Sequence, residues 1–514
     1  MPDQSVNNRR IVRNTLFLYF RMFLVMGITL FTSRIVLSTL GIEDFGIYNV
    51  VGGIVAMSGI MNGAMSVSAQ RYLTFEIGRG DHVRLKQVFN MCVLIFALFS
   101  FITLILAETA GLWFLNNKMV IPPGRLPAAN RIFQFSVFAS IASLMVIPYN
   151  ALIIARERMN VYAYIGILEV LLKLRVVYLL LIIPADRLSV YGCLMFLSQV
   201  VVTGVYVSYC RKRFPESRYR FYWERPLFKE LISYSGWNLF GTAAGLVKGQ
   251  GLNVLLNLFF NPSVNAARGI AYQVNSAITQ FFTNFYTAVH PQITKYYAQG
   301  NQEEMNRLVF RSSRFSFYLI MLVSMPVIIE TPYLINLWLG QLPEYVVPFT
   351  RLVVVISAVD ATSAPLMTAA HATGRIRLYQ ALVGTMTLLN IPVSYAFLQF
   401  GTSPLAVFHV SLVISVLCLF MRLWIVHRLM AFPVRSYIIQ VLGTSISVCV
   451  VSSIVPLAAY LWMEENIFSV LGVCLLCLVS SAVTIYSIGM NGGERHFIVG
   501  IVKKKILRKQ AEYD

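Results

Sequence analysis

Nine of the 42 Lys and Arg residues lie inside or at the edges of long apolar segments. They are Arg21, Arg34, Arg131, Lys173, Arg175, Lys248, Arg268, Arg351 and Arg422. A cation near the centre of a lone membrane helix costs roughly 2.5–3.5 kcal/mol on insertion scales, so such a residue normally faces a water-filled cavity or a fixed partner. Carboxylates are scarcer in the same segments, which leaves a positive surplus. The pattern predicts a polar interior that binds an anionic substrate.

One pair of opposite charges lies in the fifth predicted span. Glu169 and Lys173 are spaced i, i+4 with the acid on the N-terminal side, which is the favourable order on a helix. We expect these two charges to neutralise each other inside the protein, which would leave Arg175 without a partner. At least one of Lys173 and Arg175 should then face the protein interior.

The strongest candidates for cavity cations are Lys248, Arg268 and Arg21. Lys248 lies mid-span in GTAAGLVKGQGLNVLL, with no carboxylate within one helical turn. Arg268 lies in the first turns of the next span, and Arg21 lies in the cytoplasmic third of the first span. Arg34 follows Arg21 by about 20 Å along the axis. It either contributes to headgroup binding or extends to the membrane interface.

Asp360 is the acid best placed for ion coupling. It lies mid-span in RLVVVISAVDATSAPLMTAA, close to Pro365. Two roles are open: a site for a coupled proton or sodium ion, and a salt bridge to a cation of the other half of the chain. Three of the nine cations lie near predicted span ends, and we interpret them as interface anchors: Arg131, Arg351 and Arg422.

The residues do not form a pattern typical of an enzyme. The six His show no metal-ligand spacing, and no phosphate-binding Gly-Lys loop occurs. The seven Cys lie in or at the ends of apolar segments, so no disulfide framework is expected. A membrane glycan polymerase or ligase would carry a large charged outer loop, whereas the predicted outer loops near 112–130 and 331–348 are short and poor in charge. We predict a protein that is not an enzyme and has neither metal nor cofactor.

Apolar helices must position these charges. Of the 514 residues, 57% are hydrophobic and 12% are charged, and runs of about 20 apolar residues recur along almost the whole chain. We predict an all-α polytopic membrane protein with about fourteen transmembrane helices. Their approximate bounds are 14–39, 46–70, 87–112, 130–154, 160–183, 188–210, 231–258, 264–289, 307–330, 349–371, 377–398, 404–426, 437–461 and 467–489.

The basic residues outside the spans lie mostly on one side of the membrane. With the amino terminus inside, thirty Lys and Arg fall in predicted cytoplasmic segments, and three, Lys118, Arg125 and Arg187, fall on the opposite side. This asymmetry follows the positive-inside rule and predicts that both termini are cytoplasmic. The net charge of +20 therefore reflects topology and contact with anionic lipid rather than nucleic-acid binding.

Two pairs of matching segments indicate an internal duplication. FEIGRGDHVRLKQVF, ending at Phe89, matches YYAQGNQEEMNRLVF, ending at Phe310. PYNALIIARERMNVYAYIG, from Pro148, matches PLMTAAHATGRIRLYQALV, from Pro365, with Ala, Arg and Tyr at one constant offset. Each copy has an even number of spans, so the copies are parallel. Parallel halves commonly alternate access by rocking about a site at their interface.

The duplication predicts the domain organisation. The predicted parts are an N-terminal six-helix lobe (1–210), a basic cytoplasmic linker (211–230), a C-terminal six-helix lobe (231–430), two extra transmembrane helices (431–490) and a basic cytoplasmic tail (491–514). The glycines near Gly245–Gly251 serve either ordinary helix packing or a hinge.

The opening of the chain, NTLFLYFRMFLVMGITLFTSRIVLSTLGIEDFGIYNVVGG (residues 14–53), carries a resemblance to a known family. It combines Asn14 at the start of the first helix, Arg34 before a Leu40-Gly41 turn, and the stretch from Asp44 to Tyr48. The segment ATGRIRLYQ (372–380) is similar to the family's second-half cytoplasmic turn. In these features the chain resembles the multidrug/oligosaccharidyl-lipid/polysaccharide (MOP) exporter superfamily. Within that superfamily it looks most like the Wzx-type O-antigen and polysaccharide flippases.

The resemblance implies two six-helix lobes around a central cavity, with two extra helices that can form a lipid-facing groove. It implies an undecaprenyl-pyrophosphate-linked oligosaccharide, the O-antigen or another surface polysaccharide unit, as the substrate. The protein would then lie in the bacterial inner membrane and act in lipopolysaccharide or other polysaccharide biosynthesis. A pyrophosphate headgroup agrees with the cations, and the expected headgroup-binding residues are Arg21, Arg34, Lys173, Arg175, Lys248 and Arg268. Glu169 and Asp360 would form an ion pair or a coupling site.

Two other transporters remain open. A lipid II flippase also uses cavity arginines, and a multidrug cation antiporter of the same superfamily would need a carboxylate-rich cavity. Export would be driven by the membrane potential or by proton or sodium exchange. The expected partners are the lipid-linked glycan, membrane lipids, and the polysaccharide polymerase and glycosyltransferases of the same pathway.

Overall fold

A computed structural model of the chain describes residues 2–56, 59–117, 121, 123–183, 186–260, 262–340, 342–464 and 466–496. The side chain of Arg34, Lys118, and residues 497–514 of the predicted tail lie outside the described residues. Within the described part the chain forms helices joined by short turns and no β-strand, which confirms the all-α class.

Seven α-helices form the first half of the chain. They are α1 (Pro2–Ala56), α2 (Gly59–Arg79), α3 (His82–Leu106), α4 (Leu112–Asn117), α5 (Leu126–Ala155), α6 (Met159–Ile182) and α7 (Arg187–Arg213). The backbone of α1 is non-helical at Gly41, with φ 78° and ψ 169°. Glycine tolerates this positive φ, and the break falls in the predicted gap between the first two spans.

The second half contains eleven α-helices within the described ranges. They are α8 (Arg225–Phe259), α9 (Pro262–Ala298), α10 (Gln302–Ile329), α11 (Thr331–Leu339), α12 (Val346–Ala372), α13 (Arg377–Leu388), α14 (Asn390–Gln399), α15 (Leu405–Met430), α16 (Val434–Tyr437), α17 (Thr444–Trp462) and α18 (Ile467–Thr484). Single π-helical turns follow α3, α16 and α18.

Ten helical segments of the described chain are long and apolar enough to cross a membrane. They are Arg10–Thr29, His82–Asn117, Leu126–Ala155, Arg187–Arg213, Gln302–Ile329, Val346–Ala372, Arg377–Gln399, Leu405–Met430, Val434–Trp462 and Ile467–Gly489. The protein is therefore a multi-pass membrane protein. The other four predicted spans are also helical but are not among these ten segments. They correspond to the end of α1 with α2, to α6, to α8 and to α9. The count of fourteen and the cytoplasmic termini stay predictions.

The chain divides into two compact units. The N-terminal unit comprises Val12–Ala243 and Thr294–Asn301, and the C-terminal unit comprises Met1–Ile11, Ala244–Ile293 and Gln302–Asp514. The predicted lobe boundaries, 1–210 and 231–430, stay predictions.

The core of the N-terminal unit lies where α5 packs against α7, α2 and α3. Ile132 and Phe133 of α5 are fully buried there with Leu115 and Leu188. A Cβ at Gly192 of α7 would lie 2.8 Å from Ile132 Cγ1, so only glycine permits the close approach of these two helices.

The core of the C-terminal unit is built by α12 with α10 and α15. Phe349 of α12 is fully buried and stacks on Phe408 of α15, with ring centroids 4.2 Å apart. Helices α17 and α18 pack on each other and on α10, where Met325 contacts Val473 and Cys477 in one buried cluster.

The duplicated segments adopt matching local structures. Helix α3 follows Gly80 (φ 76°), and α10 follows Gly300 (φ 72°). After α5 the backbone turns at Glu157 (φ 56°), and after α12 it turns at Gly374 (φ 76°), the same position in the second copy. A left-handed conformation is unfavourable for a side chain such as that of Glu157, so the surrounding contacts must hold this turn.

Candidate functional site

The C-terminal unit contains a group of charged residues that we call the cationic cluster: Lys248, Arg268, Asp360 and Arg422. Helices α8, α9, α12 and α15 supply one residue each. Lys248 interacts electrostatically with the other three, and its favourable interaction is with the Asp360 carboxylate. Four charges separated along the sequence therefore converge in one unit.

Arg422 is an interior residue, and its interpretation as an interface anchor is wrong. Its side chain is only 16% exposed. Its Nε donates to the Tyr379 hydroxyl at 3.1 Å, and its Nη1 donates to Ser363 Oγ. Because α15 continues to Met430, Arg422 lies two turns inside the helix rather than at its end.

Asp360 lies beside Arg422, with Oδ1 3.7 Å from Arg422 Nη1. The same oxygen accepts a hydrogen bond from Ser415 Oγ at 2.7 Å. The partner therefore belongs to the same half of the chain, which corrects the expectation of a salt bridge to the other half. The Asp360 side chain is 50% exposed, so this carboxylate remains accessible.

Lys248 and Arg268 differ in how firmly they are held. Arg268 donates to the Gly249 carbonyl at 2.9 Å and to Asn253 Oδ1 at 3.2 Å, and its guanidinium lies 4.6 Å from the Tyr272 ring centroid. Lys248 is half-buried, and among the described residues no hydrogen bond or ion pair holds its ammonium. The Lys248 ammonium is thus the member of the cluster most available to a ligand.

Arg21 occupies a different site, in the N-terminal unit. Its guanidinium lies 4.5 Å from the Tyr162 ring centroid, a cation–π contact. A Cβ at Gly166 would collide with this guanidinium, so the glycine makes the space in which Arg21 lies. Arg21 Nε is buried and has no hydrogen-bond partner among the described residues.

The predicted pair of Glu169 and Lys173 is present on α6. Lys173 Nζ lies 2.7 Å from Glu169 Oε1, and both side chains are partly exposed. Tyr162, Gly166, Glu169 and Lys173 recur at helical spacing and share one face of α6. Arg175 is exposed, and no ion pair holds it in the described part of the chain. Headgroup binding by these residues stays a prediction.

The two copies of the duplicated tyrosine each contact an arginine. Tyr162 contacts Arg21 through its ring, and Tyr379 accepts a hydrogen bond from Arg422. The sequence match between these tyrosines was visible, but their arginine partners come from different helices, α1 and α15. The signal that could have found Arg422 was Asp360, a mid-span acid that needed a cation nearby.

Asp44, part of the resemblance to the family, has a structural role in an ion-pair group. Arg125 binds Asp44 through two nitrogens and lies 2.9 Å from Asp186. Burial opposes ionisation of Asp186, but hydrogen bonds from Ser189 and Arg125 outweigh it and hold the pKa of Asp186 below its ordinary value. Arg131 lies on this group too, 3.7 Å from Asp186, and is exposed as expected of an interface anchor.

The arrangement suits binding of an anion. Within the described ranges no group of three or more His, Cys, Asp and Glu could hold a metal ion. The cationic cluster contains three cations and one carboxylate, and its Arg residues are fixed by hydrogen bonds. Fixed guanidinium groups and an available ammonium are the donors that phosphate oxygens prefer.

Comparison with solved structures identifies the fold, whereas no protein-family model and no curated protein matches the sequence. An outward-facing multidrug resistance MATE family transporter of the MOP superfamily has a TM-score of 0.70 at 13% identity, over 83% of this chain and 97% of that chain. A MATE protein in the straight conformation has a TM-score of 0.70 at 15% identity with the same coverage. A mutant of the Vibrio cholerae MATE transporter VcmN has a TM-score of 0.63 at 13% identity, over 83% of this chain and 98% of that chain.

The protein therefore has the fold of MATE transporters of the MOP superfamily. This confirms the fold that the resemblance implies, while membership of the superfamily and the Wzx-type subtype stay predictions. Two of the proteins with which it shares this fold are described as transporters.

Proposed function

We propose that the protein is a transporter that moves an undecaprenyl-pyrophosphate-linked oligosaccharide across the bacterial inner membrane by alternating access. The observation that carries this proposal is the surplus of positive charge in the cationic cluster, with Lys248, Arg268 and Arg422 against the single carboxylate of Asp360. A pyrophosphate headgroup supplies the missing negative charge. The MATE-like fold supplies a framework suited to alternating access.

The headgroup binds Lys248 first, because this ammonium is not held by another side chain of the described part. Arg268 is already oriented by Gly249 and Asn253, so it adds donors at little entropic cost. Asp360 offsets one of the three positive charges of the cluster in the absence of substrate. Once phosphate oxygens replace it beside the cations, Asp360 becomes available to take up a proton or a sodium ion.

Arg21, beside Tyr162 in the N-terminal unit, is a further headgroup ligand, together with Arg34 and one of Lys173 and Arg175. Its guanidinium lies against the Tyr162 ring, and its buried Nε lacks a hydrogen-bond partner among the described residues. Moving two negative charges outward through an inside-negative potential of roughly 100 mV releases about 4–5 kcal/mol. Export would be driven by this potential or by proton or sodium exchange at Asp360.

The test is translocation of a fluorescent prenyl-pyrophosphate-linked glycan in proteoliposomes with an imposed potential. Lys248→Gln and Arg268→Gln each remove a charged contact worth roughly 1.5–3 kcal/mol, so we expect affinity to fall about 10- to 100-fold. Arg131→Gln removes the same charge from an exposed position outside the cluster and should translocate as wild type. The proposal is wrong if neither the potential nor the two cluster variants change translocation.

A multidrug cation antiporter is the second candidate. The half-exposed carboxylate of Asp360 favours it, as does the fold shared with multidrug MATE proteins. Proton-dependent efflux of a cationic dye that is lost in Asp360→Asn would support this candidate against glycan export.

A lipid II flippase would bind a headgroup of the same chemistry. The phenotype of depletion distinguishes it from a glycan flippase. Depletion of a lipid II flippase arrests growth, whereas depletion of a glycan flippase removes a surface polysaccharide. The glycan route also requires glycosyltransferases and a polysaccharide polymerase in the same pathway as partners.

A further inference from the structure

A cavity of about 400 Å³ lies between the start of α3 and the segment that links α7 to α8. We call it the linker pocket. From α3 it is lined by residues at helical spacing on one face, including His82, Lys86 and Asn90, and from the linker by Arg220, Phe221 and Tyr222. All of these residues belong to the N-terminal unit, and none of the eight lining residues is acidic.

Hydrogen bonds hold the linker against α3 and so maintain the pocket. The backbone N–H of Arg220 donates to Oδ1 of the buried Asn90 at 3.2 Å. Tyr222 donates its hydroxyl to Glu224 at 2.5 Å, and Glu224 binds Arg84 of α3 at 2.6 Å. The hydrogen bonds from Arg84 and Tyr222 lower the pKa of Glu224 and keep it ionised, and the Arg84 guanidinium balances its negative charge beside the pocket.

Two cations of the pocket remain available. In the described part of the chain, no hydrogen bond or ion pair holds the Lys86 ammonium or the Arg220 guanidinium. His82 adds a third donor in the first turn of α3. The volume falls within the range of roughly 300–1,000 Å³ typical of small-molecule sites. The surface that lines the pocket is mostly apolar, and its cations belong to Lys86 and Arg220, so the site combines apolar surface with two available positive charges.

The linker also exposes a row of aromatic side chains next to the pocket. Tyr219, Phe221 and Trp223 are 40%, 74% and 52% exposed. They occupy alternate positions of an irregular, non-helical segment, between Arg218, Arg220 and Tyr222. Aromatic side chains of this kind are enriched where a membrane meets water, beside basic residues that attract anionic lipid.

The pocket lies at the ends of two helical segments that are long and apolar enough to cross a membrane. The segment His82–Asn117 begins beside it, and the segment Arg187–Arg213 ends just before the linker. The lipid phosphates of a bilayer lie at the ends of membrane-crossing helices, outside a hydrocarbon core of roughly 30 Å.

We infer that the linker pocket binds the phosphate headgroup of an anionic phospholipid, with the phosphate between Lys86 and Arg220 and the acyl chains beside Phe221. The ligand is a lipid of the surrounding membrane rather than the transported molecule, so the inference holds for any substrate. The binding anchors the segment that joins the two halves of the chain to the membrane surface.

The experiment measures lipid retained by the full-length protein in detergent by native mass spectrometry, with phosphatidylglycerol and phosphatidylcholine as probes. We expect the wild-type protein to retain more phosphatidylglycerol than phosphatidylcholine. Lys86→Gln/Arg220→Gln should weaken its binding roughly 30-fold, about fivefold for each cation. Arg213→Gln/Lys229→Gln removes the same two charges from exposed positions outside the pocket and should bind as wild type.

Three results would overturn the inference. The first is equal retention of both lipids by the wild-type protein, and the second is equal loss of phosphatidylglycerol in the two double variants. The third is displacement of phosphatidylglycerol by inorganic phosphate at equal concentration, because the site would then bind the free ion. If the pocket variant does not fold, Phe221→Ser keeps the test decisive. It should reduce phosphatidylglycerol retention, whereas Phe400→Ser, at a side chain 85% exposed in the C-terminal unit, should not.

Discussion

Lys295 and Glu157 form an ion pair, and we expect the loss of each partner to destabilise the protein to a different extent. Glu157 occupies the turn between α5 and α6 with φ 56°, and its carboxylate binds the Lys295 ammonium. The Glu157 side chain is 1% exposed and that of Lys295 is 16% exposed. Asn14 donates its side-chain amide to the Glu157 carbonyl at 3.3 Å, so this turn is held by its backbone as well.

Lys295→Met removes the Lys295 charge from a fully buried carboxylate. Loss of one partner of a buried pair costs about 3–5 kcal/mol, because the remaining charge stays out of water. Glu157→Gly removes the more deeply buried charge and also relieves a left-handed backbone that costs roughly 1–2 kcal/mol for a residue with a side chain. The stem of Lys295 can then carry its ammonium towards water. We expect Glu157→Gly to be less destabilising than Lys295→Met by at least about 1–2 kcal/mol.

Thermal unfolding of the purified protein in detergent, followed by intrinsic fluorescence, measures this order. The Tm should fall most in Lys295→Met and less in Glu157→Gly, and Glu157→Gly/Lys295→Met should unfold at a higher temperature than Lys295→Met. Lys212→Met, at an exposed position, is the matched control and should leave the Tm unchanged. Equal Tm values for the two single variants, or additive losses in the double variant, would refute the argument from desolvated charge.

Three further predictions concern single side chains. Gly166→Val should abolish translocation because its side chain occupies the space of the Arg21 guanidinium, whereas Gly245→Ala, with nothing within 4 Å of the added Cβ, should stabilise α8 by roughly 0.5–1 kcal/mol in thermal unfolding. The lowered pKa of Asp186 means that its stabilisation is present above the unfolded value of about 3.9 and is lost as the pH falls through the folded-state pKa. A plot of Tm against pH should therefore be flatter below about pH 4 in Asp186→Asn. Tyr379→Phe removes one hydrogen bond of the buried guanidinium that it contacts and should cost about 1 kcal/mol of unfolding free energy, measured by chemical denaturation.

Local features of the fold were predictable because they depend on neighbouring residues. The break at Gly41, the ion pair of Glu169 and Lys173, and the matching turns after α5 and α12 all follow from residues a few positions apart. The predicted spans outside the ten apolar segments show the opposite case. Helix α6 forms as predicted, but it contains the three charged residues Glu169, Lys173 and Arg175, so composition alone does not establish that it crosses the membrane.

The sequence by itself determined that this is an all-helical membrane protein with a surplus of positive charge in its apolar segments. Both properties depend on which residues occupy each helix, and each can be read along the chain. Only the tertiary structure decided that Arg422 is interior and bound to Asp360, Ser363 and Tyr379, while Lys248 keeps an available ammonium. The partners of a charge within a membrane protein depend on which helix faces meet. Helical periodicity in the sequence does not specify which faces pack together when nearly every face is apolar.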